Sequence, residues 1–300
     1  MSKKIWLVYA LITTVAWGFW GALSGAILQN GFPETMVYCI WAVTMLIPGI
    51  TVLKINKWKI QHDRKSIVFG SLIGFLGAGG QLLLFQALRI GPAYLIFPVI
   101  SISPVVTIIL SLIFLKERTG KLGTIGIVLA LLALPLFEYS RGEASNDYGV
   151  LWFILAILVL VAWGVQAYFM KLANKNTDGG SIFFYMTVTA ILLIPLALFM
   201  TDFSSGIEFG INEVLITAGI QVLNSIGALF LVFAYRYGKA IVVSPLINAG
   251  SPLMTAVISM ILISAMPSTT KIIGIVFALV AALLLALEPE NEMVEDPKKE

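Results

Sequence analysis

The side chains able to do chemistry inside the apolar stretches of this sequence are almost all uncharged. Its sixteen acidic residues fall in connecting segments, at the ends of apolar runs or in the C-terminal tail, with Glu138 closest to an exception. The only histidine, His62, sits beside Asp63 in a charged loop, and no His/Cys/Asp/Glu spacing suits a metal. A core without Asp, Glu, His, Lys or Arg offers nothing for general acid or base catalysis. No catalytic residue, metal or cofactor is therefore expected. The same absence speaks against a midplane carboxylate that carries protons, and against phosphate-bearing cargo, which would want a buried cation. What remains is indole, amide and hydroxyl: Trp17, Trp20, Gln81, Ser101, Trp163, Gln166, Asn224 and Asn248.

These residues come in related pairs because the chain is an internal duplication. Ala87, Arg89, Gly91, Ala93 and Pro98 recur as Ala234, Arg236, Gly238, Ala240 and Pro245, an offset of 147. Ala16-Trp17-Gly18 returns as Ala162-Trp163-Gly164 at 146, and Gly126-Ile127-Val128 as Gly274-Ile275-Val276 at 148. The period, far longer than a solenoid repeat, makes each half a small bundle in its own right. Trp17 then pairs with Trp163, Trp20 with Gln166, and Ser101 with Asn248. The offset also maps Gly77 onto Asn224. Gln81, four residues beyond Gly77, shares its helix face, so Gln81 and Asn224 stand on equivalent faces of the third and eighth apolar runs.

The elements that must position these groups are transmembrane helices. Hydrophobic residues make up 59% of the chain and charged ones 12%, well outside the range of soluble domains. Ten runs approach the roughly 20 residues a spanning helix needs: 5 to 28, 35 to 53, 67 to 88, 93 to 115, 121 to 138, 149 to 172, 181 to 200, 213 to 236, 239 to 263 and 270 to 288. The first is too long for a signal-peptide core, and its Ala-Trp-Gly recurs where no signal peptide could lie. Cys39, the single cysteine, cannot form an intramolecular disulfide and is expected to be a buried, inert thiol. Residues 289–300 are expected to be a disordered, charged cytoplasmic tail.

Lysine and arginine placement sets the orientation. With the N-terminus inside, sixteen of the 19 basic residues fall on inner segments, and only Arg89, Arg141 and Lys271 lie outside. Both termini are then cytoplasmic. Five spans per half is an odd number, so residues 5–138 and 149–288 form inverted repeats related by an axis in the membrane plane. The expected fold is an all-α polytopic membrane protein of ten transmembrane helices in two inverted five-helix repeats.

Ten spans in two halves, a Trp-Gly pair opening each half, and the run ALRIGPAYLIFP…LKERTGKLGTIGIVL over 87–129 resemble the EamA family of the drug/metabolite transporter superfamily. The resemblance implies a secondary transporter, expected in a bacterial plasma membrane; members of that superfamily export amino acids and other metabolites or carry sugars and nucleotide sugars, so membership does not choose a substrate. One departure is visible: Glu117, after the fourth span, has Ala265 as its repeat equivalent.

Prolines at 98 and 104, and at 245 and 252, fall inside the fourth and ninth spans, where each must free a carbonyl. Helices broken at matching positions point to a transporter site. The eight polar and aromatic residues are expected to line one cavity, with these four prolines as helix breaks or gates. The alternatives stay open. Trp17 and Trp163 could pack between helices, and the amides could serve as interhelical hydrogen bonds. Ser101 and Ser103 could bond back to their own helix, and the glycines at 70, 74, 77, 79 and 80 are expected to let the third span pack closely. The cargo suited to such a lining is a small neutral or zwitterionic solute, moved by alternating access. A flippase for a lipid or lipid-linked sugar and a structural membrane protein are the rivals. Expected partners are the solute and the lipid bilayer, with a homodimer as one allowed assembly and no nucleic acid.

Overall fold

The computed structural model describes residues 4–28, 33–91, 93–138, 149–203, 210–263 and 268–287. Within them the fold is helical throughout. The helices are α1 (Ile5–Leu28), α2 (Glu34–Thr44), α3 (Leu46–Ile55), α4 (Arg64–Ile90), α5 (Ala93–Ser101), α6 (Pro104–Leu110), α7 (Lys121–Glu138), α8 (Leu151–Ala173), α9 (Gly179–Leu192), α10 (Ile194–Met200), α11 (Ile211–Tyr237), α12 (Ala240–Ile263) and α13 (Thr269–Leu287), with α6 running on into a π-helical turn at Ser111–Leu115. Nine segments among the described residues are long and apolar enough to cross a membrane, counting α2–α3, α5–α6 and α9–α10 as one each. The remaining expected span is α7, apolar but shorter over Lys121–Leu136. The tail at 289–300, Arg141, Ala265 and the side chains of Pro98 and Glu138 lie outside the described residues.

Two breaks repeat. α2 gives way to α3 at Met45, and α9 to α10 at Leu193. Met45 immediately precedes a Leu-Ile-Pro triplet at 46–48 and Leu193 opens one at 193–195, and the proline of each has no N–H to extend the helix before it. The fourth and ninth segments differ instead. α5 stops at Ser101, and Pro104 opens α6 as its first residue, where a proline costs nothing. α12 carries Pro245 and Pro252 inside one continuous helix. The matched break expected there occurs in the first half alone, because Ser251 holds the place of Pro104.

Helix neighbours exchange under the repeat. α1 packs along α11 as α8 packs along α4; α1 also packs on α12 as α8 does on α5 and α6; α7 and α13 pair with each other. Glycines make the close approaches. A Cβ at Gly80 would lie 2.5 Å from Trp163 Nε1, and one at Gly227, its equivalent, would meet the Trp17 ring. Gly70 and Gly74 seat Tyr185 and Thr189 of α9. Gly79 and Gly219 face open space, so the expectation of close packing holds for Gly70, Gly74, Gly77 and Gly80 but not for Gly79.

One end of the bundle gathers the polar connections. Lys4 Nζ donates to Ala286 O at 3.5 Å. Asp178 and Asp63 cap α9 and α4 with matched geometry, each accepting from the backbone N–H and hydroxyl of the serine three residues on. These two donors hold the Asp63 carboxyl below the usual carboxylate range. The caps interlock, Ser66 Oγ lying 2.9 Å from Thr177 Oγ1 and Gln61 Oε1 accepting from Asp178 N at 2.6 Å. α1 starts at this lysine-rich end, where Trp6 lies against the position of Gly238. α8, its repeat counterpart, finishes there.

Alanine at Gly80 or Gly227 should lower stability by roughly 1–3 kcal/mol through overpacking. At Gly79 or Gly219 the same change should be neutral or stabilising, by up to about 1 kcal/mol. Thermal unfolding of the four variants in detergent checks the contrast.

Candidate functional site

Midway along α1 and α8 a three-helix clamp occurs twice. Trp17 of α1 donates its indole N–H to Asn224 O of α11 at 3.2 Å, and Trp163 of α8 donates to Gly77 O of α4 at 3.3 Å. Asn224 and Gly77 are repeat equivalents. The residue after each tryptophan completes the clamp: Thr255 Oγ1 of α12 donates to Gly18 O at 3.2 Å, and Thr107 Oγ1 of α6 to Gly164 O at 3.0 Å. Neither glycine has room for a Cβ. At Gly18 it would meet Met254, and at Gly164 it would lie 2.5 Å from Val106 Cβ. The Trp-Gly dipeptide thus binds its helix to two neighbours, one through the indole and one through the bare carbonyl. Thr107 and Thr255 escaped the sequence reading, although their offset of 148 was visible.

The other expected residues take varied positions. Gln166 lies against Gly77, its amide filling the space a Cβ would need. Asn224 Nδ2 donates to Gln221 Oε1 at 3.4 Å on its own helix, and Asn248 Nδ2 to Ser244 O at 2.9 Å. Gln81, Ser101 and Asn248 are half-buried. The indole nitrogen of Trp20 is buried and has no hydrogen-bond partner among the described residues. Trp163 and Gln166 meet α4 at Gly77, and Trp17 meets α11 at Asn224. Pro104 is buried at the start of α6, and Cys39 is half-buried rather than enclosed.

The two halves differ along the helices that carry the amides. α11 presents Thr217, Gln221, Asn224 and Ser225, and Thr217, Gln221 and Ser225 are fully or nearly fully buried. At the equivalent places α4 has Gly70, Gly74, Gly77 and Ala78. Ser225 Oγ lies 3.0 Å from Thr44 Oγ1 of α2. Pairing amides across the repeat found Asn224 alone. Comparing polar positions with glycines would have found Thr217 and Gln221 as well.

Burial also breaks the symmetry. Leu95 of α5 is 42% exposed and Ile102, after it, 37%, whereas their equivalents Val242 and Ala249 in α12 are 0% and 2% exposed. Residues 240–247 are buried without interruption. Among the described residues no cluster of three or more His, Cys, Asp or Glu side chains could hold a metal, and the buried ionisable groups Glu117, Lys171 and Lys239 sit at the lysine-rich end.

Membrane-length apolar helices, two halves with exchanged contacts and uncharged helix middles define a polytopic helical membrane protein. The chain belongs to the EamA-like transporter family, whose model matches residues 4–137 and 150–287. It is a membrane transporter of the drug/metabolite type, a family of transporters rather than enzymes. An uncharacterised protein of Methanocaldococcus jannaschii is 36% identical over 104 residues, covering 34% of this chain and 76% of that protein. The protein LicB of Haemophilus influenzae is 24% identical over 211 residues, 66% of this chain and 69% of LicB. A solved crystal structure shares the fold with a TM-score of 0.77 at 18% identity, covering 93% of this chain and 98% of that one.

Because the two clamps are repeat-equivalent, Trp17→Phe and Trp163→Phe should each cost about 0.6 kcal/mol, with Thr255→Val and Thr107→Val similar. Chemical denaturation of the four variants in mixed micelles measures this. A loss confined to one half would show that the clamps are not equivalent.

Proposed function

We propose that this transporter moves a small neutral or zwitterionic metabolite, such as an amino acid or sugar, across a bacterial inner membrane by alternating access. The observation that carries the reading is the unequal burial of equivalent residues, Leu95 open where Val242 is sealed. In inverted repeats, exchanging the conformations of the two halves converts a state open at one end into a state open at the other. Ten spans in inverted halves, with both termini cytoplasmic, fit the sixteen-to-three bias of basic residues and the meeting of α1's start with α8's end at the lysine-rich end. On this reading the lysine-rich end is cytoplasmic and closed.

The cargo follows from the lining. Helix middles without charge suit a solute whose own charges cancel, and indoles and amides offer stacking and hydrogen bonds. The strip at Asn224 and Gln221, with Gln81, Asn248, Gln166 and Ser101, supplies amides and hydroxyls that donate and accept. An acceptor on the solute would satisfy the indole N–H of Trp20. Trp17 and Trp163 serve this site by fixing the helices around it.

The test is counterflow of labelled amino acids and sugars in proteoliposomes, with melting temperature measured alongside. Gln81→Leu and Asn248→Leu should each reduce flux at least about tenfold for the true solute, because a site built on hydrogen bonds discriminates sharply when a partner is lost. Their melting temperatures should move by little, because Asn248 Nδ2 bonds back to Ser244 O of its own helix and even an interhelical bond is worth only roughly 0.6 kcal/mol. Parallel loss of stability and flux would make these residues packing contacts. Scrambling of a fluorescent lipid in place of solute flux would replace the permease with a flippase.

A further inference from the structure

Glu117 is the one buried carboxylate among the described residues, 2% exposed at the lysine-rich end. The π-helical turn before it ends at Lys116 with φ 55°, a left-handed conformation costly for a residue with a Cβ. Glu117 N then donates back to Ser111 O at 3.1 Å. This turn directs the chain inward, and Glu117 Oε2 accepts the backbone N–H of Ile241 at 3.0 Å. Ile241 is the second residue of α12, so its N–H is one of the four that the helix cannot satisfy, and a carboxylate there also meets the positive end of the helix dipole. The neighbouring connection is tied as well, Lys239 Nζ donating to Arg118 O at 2.6 Å. Arg236, at the end of α11, donates to Thr177 O at 2.9 Å.

The repeat provides the comparison. Glu117 corresponds to Ala265, which has no carboxylate to offer. Arg236 corresponds to Arg89, which is exposed. Two inverted halves of identical sequence would populate the two conformations of an alternating-access carrier equally. A charge-assisted bond that the repeat-equivalent residue cannot make removes that equality.

We propose that Glu117 is the latch of the gate at the lysine-rich end, and that its bond to α12 makes the state closed at that end the resting state. The proposal rests on the alternating-access reading. Breaking the latch does not disable transport; it moves the resting population toward the opposite conformation. Glu117→Ala restores the symmetry that Ala265 implies, and Glu117→Gln, which keeps the volume and an acceptor but not the charge, is the milder variant should the first fail to fold.

The experiment uses full-length protein in proteoliposomes, in a Cys39→Ser background, with one of two reporters: Leu95→Cys or Val242→Cys, which occupy equivalent positions in the two halves. Labelling rates with a small water-soluble methanethiosulfonate report which end is open. With Glu117 intact, the Leu95→Cys reporter should react and the Val242→Cys reporter should be protected. Glu117→Ala should speed the Val242→Cys reporter about tenfold or more, the scale of a lost hydrogen bond to a charged group, and slow the Leu95→Cys reporter; Glu117→Gln should do the same to a smaller extent. Unchanged rates, or both rates rising together, would overturn the latch, the second outcome marking Glu117 as a local cap. Arg236→Gln separates the two levels. Opposed rate changes with it but not with the Glu117 variants would remove the latch alone, whereas reporters that never move in opposition in any variant would remove alternating access as well.

Discussion

The indole N–H of a tryptophan placed on the backbone carbonyl of a neighbouring helix is the contact on which the rest of this bundle depends. It is made once by Trp17 and once by Trp163, to repeat-equivalent carbonyls. Between helices in a bilayer there is no hydrophobic force to bring them together, so association comes from close packing and a few interhelical hydrogen bonds. The Trp-Gly dipeptide provides both at one place. The indole needs a bare helix surface, given by Gly227 and Gly80, and the glycine after it lends a carbonyl to a threonine of a third helix. Three helices of each half of the bundle are thereby fixed around one motif, with the helices of the two sequence repeats interleaved.

Symmetry of the frame throws the asymmetries into relief. Where α4 is glycine, α11 carries Thr217, Gln221 and Asn224, so hydrogen-bonding capacity is concentrated on one of two otherwise matched helices. Where the first half ends its fourth segment in Glu117, the second has alanine. A carrier of two inverted halves needs the frame to be alike, so that either end can close. It needs the lining to differ, so that a solute lacking two-fold symmetry can be recognised. On the proposed alternating-access reading, the clamps would meet the first demand and the strip on α11 the second.

Much of this was legible in the sequence because the duplication makes the chain its own alignment. The offset located Trp17 with Trp163 and set Gly77 against Asn224, and it singled out Glu117 as unrepeated. What it could not give was direction. An indole at mid-span reads equally as cavity wall or helix clamp, since its N–H is aimed by the rotamer and by the neighbour, and the neighbour's contribution is a backbone carbonyl that no residue type announces. The partner of Glu117, the N–H of Ile241, was hidden for the same reason. Other features were in plain view but not sought: the paired Leu-Ile-Pro triplets that break α2–α3 and α9–α10, the threonines at 107 and 255, and the polar residues of α11 whose equivalents are glycine. The prolines misled in the opposite sense, because proline at the first position of α6 ends one helix while proline within α12 does not end another.

The central claim, that two matched halves exchange conformations around a common frame, is tested most directly by spin-label distances in proteoliposomes across each end of the bundle. Labels at the exposed positions Lys57 and Lys121 span the lysine-rich end, and labels at Leu151 and Ile211 span the other. On addition of the transported solute, one distance should lengthen as the other shortens, within the same sample conditions. Distances that stay fixed, or that change in the same sense at both ends, would contradict the account.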